Sequence, residues 1–106
     1  MSLQKQKRIR LPKGSKAVKK LNDAIHSRDN DECIFCHCYV DRGVKWHHWP
    51  YGNEKEDVIH KGVNSCDACH TWAHKDDVQG ANRCCCDHLS ALYPEHAEYY
   101  ERHVRD

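Results

Sequence analysis

The apolar positions of residues 15–28 follow the period of an α-helix. Five apolar residues fall on one face of that helix: Ala17, Val18, Leu21, Ala24 and Ile25. Ser15 precedes them and is a residue type that caps a first helical turn. The polar sequence SRDND, residues 27–31, then ends the pattern with turn-forming residues. These features predict a packing helix over residues 15–28.

Between Cys33 and Trp49 the pattern changes to one that is typical of β-strands. The segments CYV and VKWHHW flank the sequence DRG, in which Gly43 permits a tight turn. A polar loop, PYGNEKED, and a short apolar segment, VIH, follow. The pattern therefore predicts a β-hairpin between CYV and VKWHHW.

Helical signals return at Ser65, which is a candidate cap, and Asp67 places a negative charge in the first turn. Gly80 is expected to end this helix. The segment from about residue 84 to residue 106 predicts one or two further helices, in which Pro94 is acceptable at a first helical position. The order helix, strand, strand, helix, helix predicts an α+β domain over residues 15–106.

Composition adds an expectation of bound metal. The 106 residues include eight Cys and ten His but only one Phe and one Met, and the mean hydropathy is -0.98. Such a chain buries a modest apolar core, so bound metal is expected to supply part of its stability. We find no apolar run of signal-peptide or membrane-spanning length and expect a cytoplasmic protein that has no membrane partner.

The charges are distributed unevenly. Residues 1–20 hold eight Lys or Arg and no acid, whereas the rest of the chain has nine basic and sixteen acidic residues. Residues 1–14, the N-terminal arm, are either a solvated tail or a contact with nucleic acid, whose phosphates attract such charges. The candidate contact residues are Lys5, Lys7, Arg8, Arg10 and Lys13.

Two C-x-x-C pairs carry the strongest chemical signal. Cys33 and Cys36 form the first pair, and Cys66 and Cys69 form the second, with 29 residues between the pairs. Four such thiolates can close a tetrahedral structural zinc site. A rival interpretation is a dihaem c-type cytochrome, because a histidine follows each pair directly. Four cysteines stay without an assigned role, and burial is favoured for the last three: Cys38, Cys84, Cys85 and Cys86.

Histidines form a second constellation beside the cysteines. His70 and His74 are four residues apart, so on a helix their imidazoles can reach one ion. His47 and His48 are adjacent on a predicted strand and therefore point to opposite faces, which implies different tasks. One of the two can bind metal while the other activates water.

The order C-x-x-C, His-His, Asn and C-x-x-C-H-x-x-x-H, over residues 33–75, resembles the HNH endonucleases of ββα-metal fold in their four-cysteine zinc form. The resemblance implies that a catalytic divalent ion, Mg²⁺ or Mn²⁺ and alternatively Zn²⁺ or Ni²⁺, is bound by His47, His70 and His74. It implies that His48 takes the proton from the attacking water. Asn64 would restrain the loop and help to orient that imidazole.

By the same resemblance, the substrate is DNA and one active site cuts one strand, leaving a 5′-phosphate and a 3′-hydroxyl. The resemblance also suggests a bacterial, phage or mobile-element context. Residues 15–106 would form one nuclease domain, with helices over 15–28 and about 84–106 flanking the core. The main alternative is a non-catalytic zinc module that binds nucleic acid, and the sequence leaves monomer and dimer equally open.

Overall fold

The first helix, α1 (Lys16–Arg28), agrees with the prediction in the computed structural model, which describes residues 8–104. The Oγ atom of Ser15 accepts a hydrogen bond from the backbone N–H of Val18, as expected of an N-terminal cap. Ile25, on the apolar face, is fully buried. The predicted face is buried only in part, because Ala17 and Ala24 are exposed. Two polar residues, Asn22 and His26, are buried beside Ile25 instead.

The sheet has two very short strands. Strand β1 (His47–His48) pairs antiparallel with β2 (Gly62–Val63), so that His47 lies opposite Val63 and His48 lies opposite Gly62. The expected hairpin between CYV and VKWHHW is therefore wrong, because the partner of β1 is the segment that follows VIH.

Local hydrogen bonds explain why the expected hairpin does not form. Tyr39 instead pairs with Glu32 in an isolated antiparallel bridge, which closes the loop that holds the first cysteine pair. Gly43 does lie in a turn, where its N–H donates to the carboxylate of Asp41. The N–H of Trp46 then donates to Asn22 on α1, so the chain leaves the turn along the helix rather than along a strand.

Three helices follow the sheet: α2 (Asp67–Lys75), α3 (Val78–Leu92) and α4 (Ala97–Arg102). The sulfur of Cys66, rather than Ser65, caps α2. Gly80 does not end that helix, because Asp77 caps α3 by accepting the N–H of Gly80. The C-terminal helical region thus begins at residue 78 rather than near 84. Pro94 starts a short 3₁₀ turn before α4.

The core lies between β2, α3 and α4. Its buried residues are Trp49, Val63, Cys85, Cys86, Leu89 and Tyr100. Two buried aromatic residues also satisfy their polar atoms: the indole N–H of Trp49 donates to Asn82, and the hydroxyl of Tyr100 donates to the carbonyl of His60. Burial of Cys85 and Cys86 confirms the prediction for those two thiols, whereas Cys84 is only half-buried.

Residues 8–104 thus form an α+β domain with four α-helices and one two-stranded sheet, which confirms the predicted fold class at that level. Within that range, no helix combines the length and apolar character needed to cross a membrane. The succession β1, β2, α2 is the part of the fold that assembles the candidate site.

Candidate metal centres

Four cysteines converge from two loops at the start of α2. The Sγ atoms of Cys33, Cys36, Cys66 and Cys69 all lie within 4.8 Å of one another. Cys33 is buried, and the other three are more accessible. The sulfur of Cys66 also accepts a hydrogen bond from the N–H of Cys69 at 3.4 Å. The two C-x-x-C pairs therefore form one four-thiol cluster, as the sequence analysis expected of a shared ion.

The chemistry of the four-thiol cluster fits a structural zinc ion. Tetrahedral zinc with Zn–S bonds of about 2.3 Å places its sulfurs about 3.8 Å apart, and the Sγ atoms of Cys36 and Cys66 are 3.8 Å apart. A backbone hydrogen bond from Cys38 lowers the pKa of the Cys36 thiol to about 6. Burial and the neighbouring sulfurs raise the pKa of the Cys69 thiol. Metal binding would displace the thiol protons that remain, because the thiolate is the form that binds metal.

An ion pair at the end of α1 holds the loops of the four-thiol cluster together. Arg28 donates two hydrogen bonds to the carboxylate of Asp29, at 2.8 and 2.9 Å. The same carboxylate accepts the backbone N–H of Asn64 at 2.9 Å and the Nε2–H of His88 at 2.8 Å. The carbonyl of Asn64 in turn accepts the N–H of Ile34, next to the first cysteine. Asp29 thus connects α1, α3 and the approaches to both cysteine pairs.

The electrostatics of Asp29 reflect these donors. Burial by itself would raise the pKa of this carboxyl, but the hydrogen bonds from His88 and Arg28 outweigh it and lower the pKa to about 2. Arg28 also donates to the carbonyls of Ile59 and Gly62, at 2.6 and 2.7 Å. The Arg28–Asp29 pair is therefore ionised at neutral pH, and Arg28 binds the segment that contains β2 through these two hydrogen bonds.

Three imidazoles meet beside the four-thiol cluster. A ring nitrogen from each of His47, His70 and His74 lies within 4.8 Å of the other two. Strand β1 supplies His47, and α2 supplies His70 and His74 from one face, as their four-residue spacing predicts. His47 is buried, whereas His70 and His74 are exposed. This three-imidazole cluster is open to solvent on the side of α2.

The surroundings of His47 suit a metal ligand. Its Nε2 lies 3.0 Å from the hydroxyl of Tyr51, while its Nδ1 is buried without a hydrogen-bond partner in the described part of the chain. Desolvation, reinforced by His70 and His74, lowers the pKa of His47 to about 3. A neutral imidazole is the form that binds a divalent ion, and the contact with Tyr51 would help to fix the orientation of the ring.

His48 shares a cleft with the three-imidazole cluster. Besides these four histidines, the cleft is lined by Trp46, Tyr51 and Lys55. The Nε2 atom of His48 lies 2.7 Å from a carboxylate oxygen of Asp57. Burial lowers the pKa of His48, and the hydrogen bond from Nε2 to Asp57 opposes part of this effect. The lowered pKa favours the neutral form of the His48 imidazole, and this ring lines the same cleft as the other three.

Asn64 lies elsewhere than the resemblance suggests. It is fully buried, and its side-chain amide donates to the carbonyl of Glu32 at 3.1 Å. In the range 8–104, the ring of His48 donates its hydrogen bond to Asp57 and makes none with Asn64. Asn64 thus restrains the loop before the first cysteine, whereas the expected contact with the imidazole is absent, because β2 turns its side chain toward that loop.

Part of the N-terminal arm packs against the domain. Arg8 pairs with Glu54 at 2.8 Å, and Arg10 approaches Asp57 at 3.4 Å. Lys13 is exposed and makes no ion pair with residues 8–104. Lys5 and Lys7 lie outside the described residues. The described arm is therefore neither a free tail nor a set of fully available cations.

The sequence analysis did not identify two residues that line the cleft, Tyr51 and Lys55, or the partner of His48, Asp57. All three come from the polar loop after β1, where no periodic pattern marks them. Lys45 lies over the ring of Trp46 at 4.9 Å, next to the cleft. Only the nearness of this loop to His47 and His48 in the chain could have drawn attention to it.

Comparison of the chain with protein-family models, with curated proteins and with solved structures gives no match. The likeness to HNH endonucleases therefore rests on the motif residues themselves. What the chain presents by its own geometry is a four-thiol cluster and a three-imidazole cluster, built on one short helix.

Proposed function

We propose that this chain is a metal-dependent endonuclease of the HNH type that hydrolyses phosphodiester bonds in DNA. The observation that carries the proposal is the cleft in which His48 lies beside the three-imidazole cluster. The succession β1, β2, α2 supports a ββα-metal arrangement, and the separate four-thiol cluster supports its four-cysteine zinc form.

In the proposed reaction, His48 is the general base. Because a carboxylate cannot donate, the 2.7 Å contact with Asp57 means that Nε2 of His48 carries the ring proton. Its Nδ1 then keeps a lone pair, which can accept the proton of a water molecule that attacks phosphorus. Burial lowers the pKa of His48 and so favours the neutral ring that carries this lone pair.

The residues of the three-imidazole cluster would hold the catalytic cation. When bound, such a cation stabilises negative charge on the phosphate and on the leaving 3′ oxygen. Imidazole ligands suit Zn²⁺ and Ni²⁺ better than Mg²⁺ or Mn²⁺, so all four ions belong in a test. Lys55 at the cleft and Lys45 beside it are placed to contact the phosphate backbone, which positions DNA without selecting a sequence.

A non-catalytic zinc module that binds nucleic acid is the competing function. It accounts for the four-thiol cluster but leaves the buried free nitrogen of His47 and the neighbouring His48 without a role. The dihaem interpretation is less compatible with the geometry. Both cysteine pairs converge on one point, whereas two haems would each need a pair of their own.

A plasmid-nicking assay tests the proposal. Zinc-loaded protein is incubated with supercoiled plasmid in separate reactions, each of which contains one added ion: Mg²⁺, Mn²⁺, Ni²⁺ or additional Zn²⁺. We expect nicked circles with at least one ion and a loss of about 10²–10⁴ in rate for His48→Ala, the usual contribution of a general base. The control is His96→Ala, since His96 lies outside the cleft. If the plasmid stays intact with every ion, or if His48→Ala cuts as fast as the wild type, the endonuclease proposal fails and the non-catalytic zinc module is the remaining function.

A further inference from the structure

We propose that Asp57 is the positioning residue for His48 and that arm residues 9–11 fix Asp57 in place, which makes this part of the arm a component of the active site. The inference rests on the proposed function, because it assigns a task to a neighbour of the general base. It departs from the view of the arm as a cationic clamp alone.

The carboxylate of Asp57 has two oxygens with separate partners. Oδ1 accepts the Nε2–H of His48 at 2.7 Å. Oδ2 accepts the backbone N–H of Leu11 at 2.7 Å and faces the guanidinium of Arg10 at 3.4 Å. Asp57 is nearly fully buried, with 6% of its surface exposed. One buried carboxylate therefore joins the arm to the candidate base.

The backbone of the arm holds Asp57 from a second side. The N–H of Asp57 donates to the carbonyl of Ile9 at 2.7 Å, and the N–H of Ile9 donates to Glu56 at 3.2 Å. Residues 9–11 thus run alongside residues 56–57 through three hydrogen bonds that use main-chain atoms of the arm. These contacts do not depend on the charged side chains of the arm, whereas a purely electrostatic clamp would act only through those side chains.

Because Asp57 is surrounded by hydrogen-bond donors, only a charged carboxylate at this position keeps the ring proton of His48 on Nε2. An amide in place of the carboxylate has one oxygen and one NH₂ group. The backbone N–H of Leu11 and the guanidinium of Arg10 are always donors, so the amide oxygen would turn toward them. The NH₂ group would then face His48 and force Nε2 to accept, which moves the ring proton to Nδ1. A protonated Nδ1 cannot take a proton from water.

Asp57→Asn tests this chain of contacts. We expect its rate of plasmid nicking to fall by about 10²–10⁴, with DNA affinity almost unchanged, because the base is present in the wrong tautomer. The matched control is Glu56→Gln, which removes the same charge at the next residue, where the carboxylate pairs with Lys61. A rate for Asp57→Asn within about threefold of Glu56→Gln would overturn the assignment.

A second readout does not depend on activity. Nitrogen NMR of the zinc-loaded protein, with ¹⁵N-labelled histidine, reports which ring nitrogen of His48 carries the proton. We expect Nε2–H in the wild type and in Glu56→Gln, and Nδ1–H in Asp57→Asn. The same tautomer in all three proteins would refute the positioning role, even if Asp57→Asn were inactive.

The contribution of the arm is tested by removing single N–H groups. Leu11→Pro deletes the donor to Asp57, whereas Ile9→Pro deletes the donor to Glu56 and leaves the carboxylate of Asp57 with its partner. We expect about a tenfold or larger loss of nicking rate in Leu11→Pro, since small misplacements of a catalytic group are costly. The loss in Ile9→Pro should be clearly smaller, because the carbonyl of residue 9 still accepts the N–H of Asp57. Equal rates for the two proline variants at equal zinc content would contradict the proposal.

These outcomes separate the two proposals. If wild-type protein does not nick plasmid with any ion, the proposed function fails while the NMR comparison still tests the contact between Asp57 and His48. If wild-type protein nicks and Asp57→Asn keeps both its rate and its tautomer, only the positioning role fails.

Discussion

Asp29→Asn is expected to destabilise the domain strongly at neutral pH. Both carboxylate oxygens of Asp29 face donors: Oδ1 faces Arg28 and His88, and Oδ2 faces Arg28 and the backbone N–H of Asn64. The amide of asparagine has nearly the same shape but must place its NH₂ group against one of these sets. The substitution therefore removes a buried charge and adds a clash between donors.

The structure gives the size of the effect. The pKa of Asp29 is lowered from 3.8 to about 2, and at about 1.4 kcal/mol per pKa unit this contributes about 2.5 kcal/mol. Because the pKa of the folded state is the lower one, the contribution is complete above about pH 4 and is lost as the pH falls toward 2. An unpaired buried donor costs a further 1–3 kcal/mol or so. At pH 7 we expect a total loss of about 3.5–5.5 kcal/mol.

Urea unfolding at pH 7 and a fixed free Zn²⁺ concentration measures this loss. Asp31→Asn is the matched control, since Asp31 lies two residues away and also pairs with an arginine, Arg42, but at the protein surface. Its effect should be much smaller, because exposed ion pairs are screened by solvent. If the two substitutions lower the free energy of unfolding equally, Asp29 is not the connection between α1, α3 and the cysteine loops that the geometry indicates.

Three further outcomes are expected. Gly62→Ala would place a Cβ atom 2.6 Å from Cδ1 of Trp46. The extended backbone at this position accepts alanine, so the cost comes from packing alone, and we expect the free energy of unfolding in urea to fall by about 1–3 kcal/mol. An unchanged free energy of unfolding would contradict the tight packing. Tyr51→Phe removes the partner of Nε2 of His47 and should weaken Co²⁺ or Ni²⁺ binding at the three-imidazole cluster by about 10–100-fold in titration calorimetry. The zinc content of the four-thiol cluster should not change. Equal affinity in the variant and the wild type would show that Tyr51 does not support His47 as a ligand. Chelation of zinc should abolish most of the helical circular dichroism, and added Zn²⁺ should restore it, since a metal bound only by the folded state stabilises folding; a persistent helical signal would show that the fold does not need the ion.

The parts of the fold that were predictable depend on neighbours in the chain. Helix α1 follows from apolar residues at helical spacing and from Ser15, whose cap acts within one turn. The approach of His70 to His74 follows from the geometry of any helix. The convergence of the two cysteine pairs needed only the chemistry of thiolates.

The missed features depend on contacts between distant residues. Strands of two residues carry almost no pattern, so the pairing of β1 with β2 is decided by the burial of Trp46 beneath Gly62 and by the bonds from Arg28 to the β2 segment. Asp57 lies in a loop with Glu54 and Glu56, and nothing local distinguishes the three acids. Only the folded chain shows that one of them contacts the candidate base.

Helix α2 has only nine residues, yet together with its N-terminal cap it contributes to both clusters. Cys66 and Cys69 belong to the four-thiol cluster, and His70 and His74 belong to the three-imidazole cluster. On the proposed function, each ion would order the same short helix for the other, and such a coupling must be reciprocal. The two clusters would then bind their chemically different ions cooperatively. A shortage of zinc would abolish nuclease activity although every residue of the cleft was unchanged, so the protein would be active only when both metals were present.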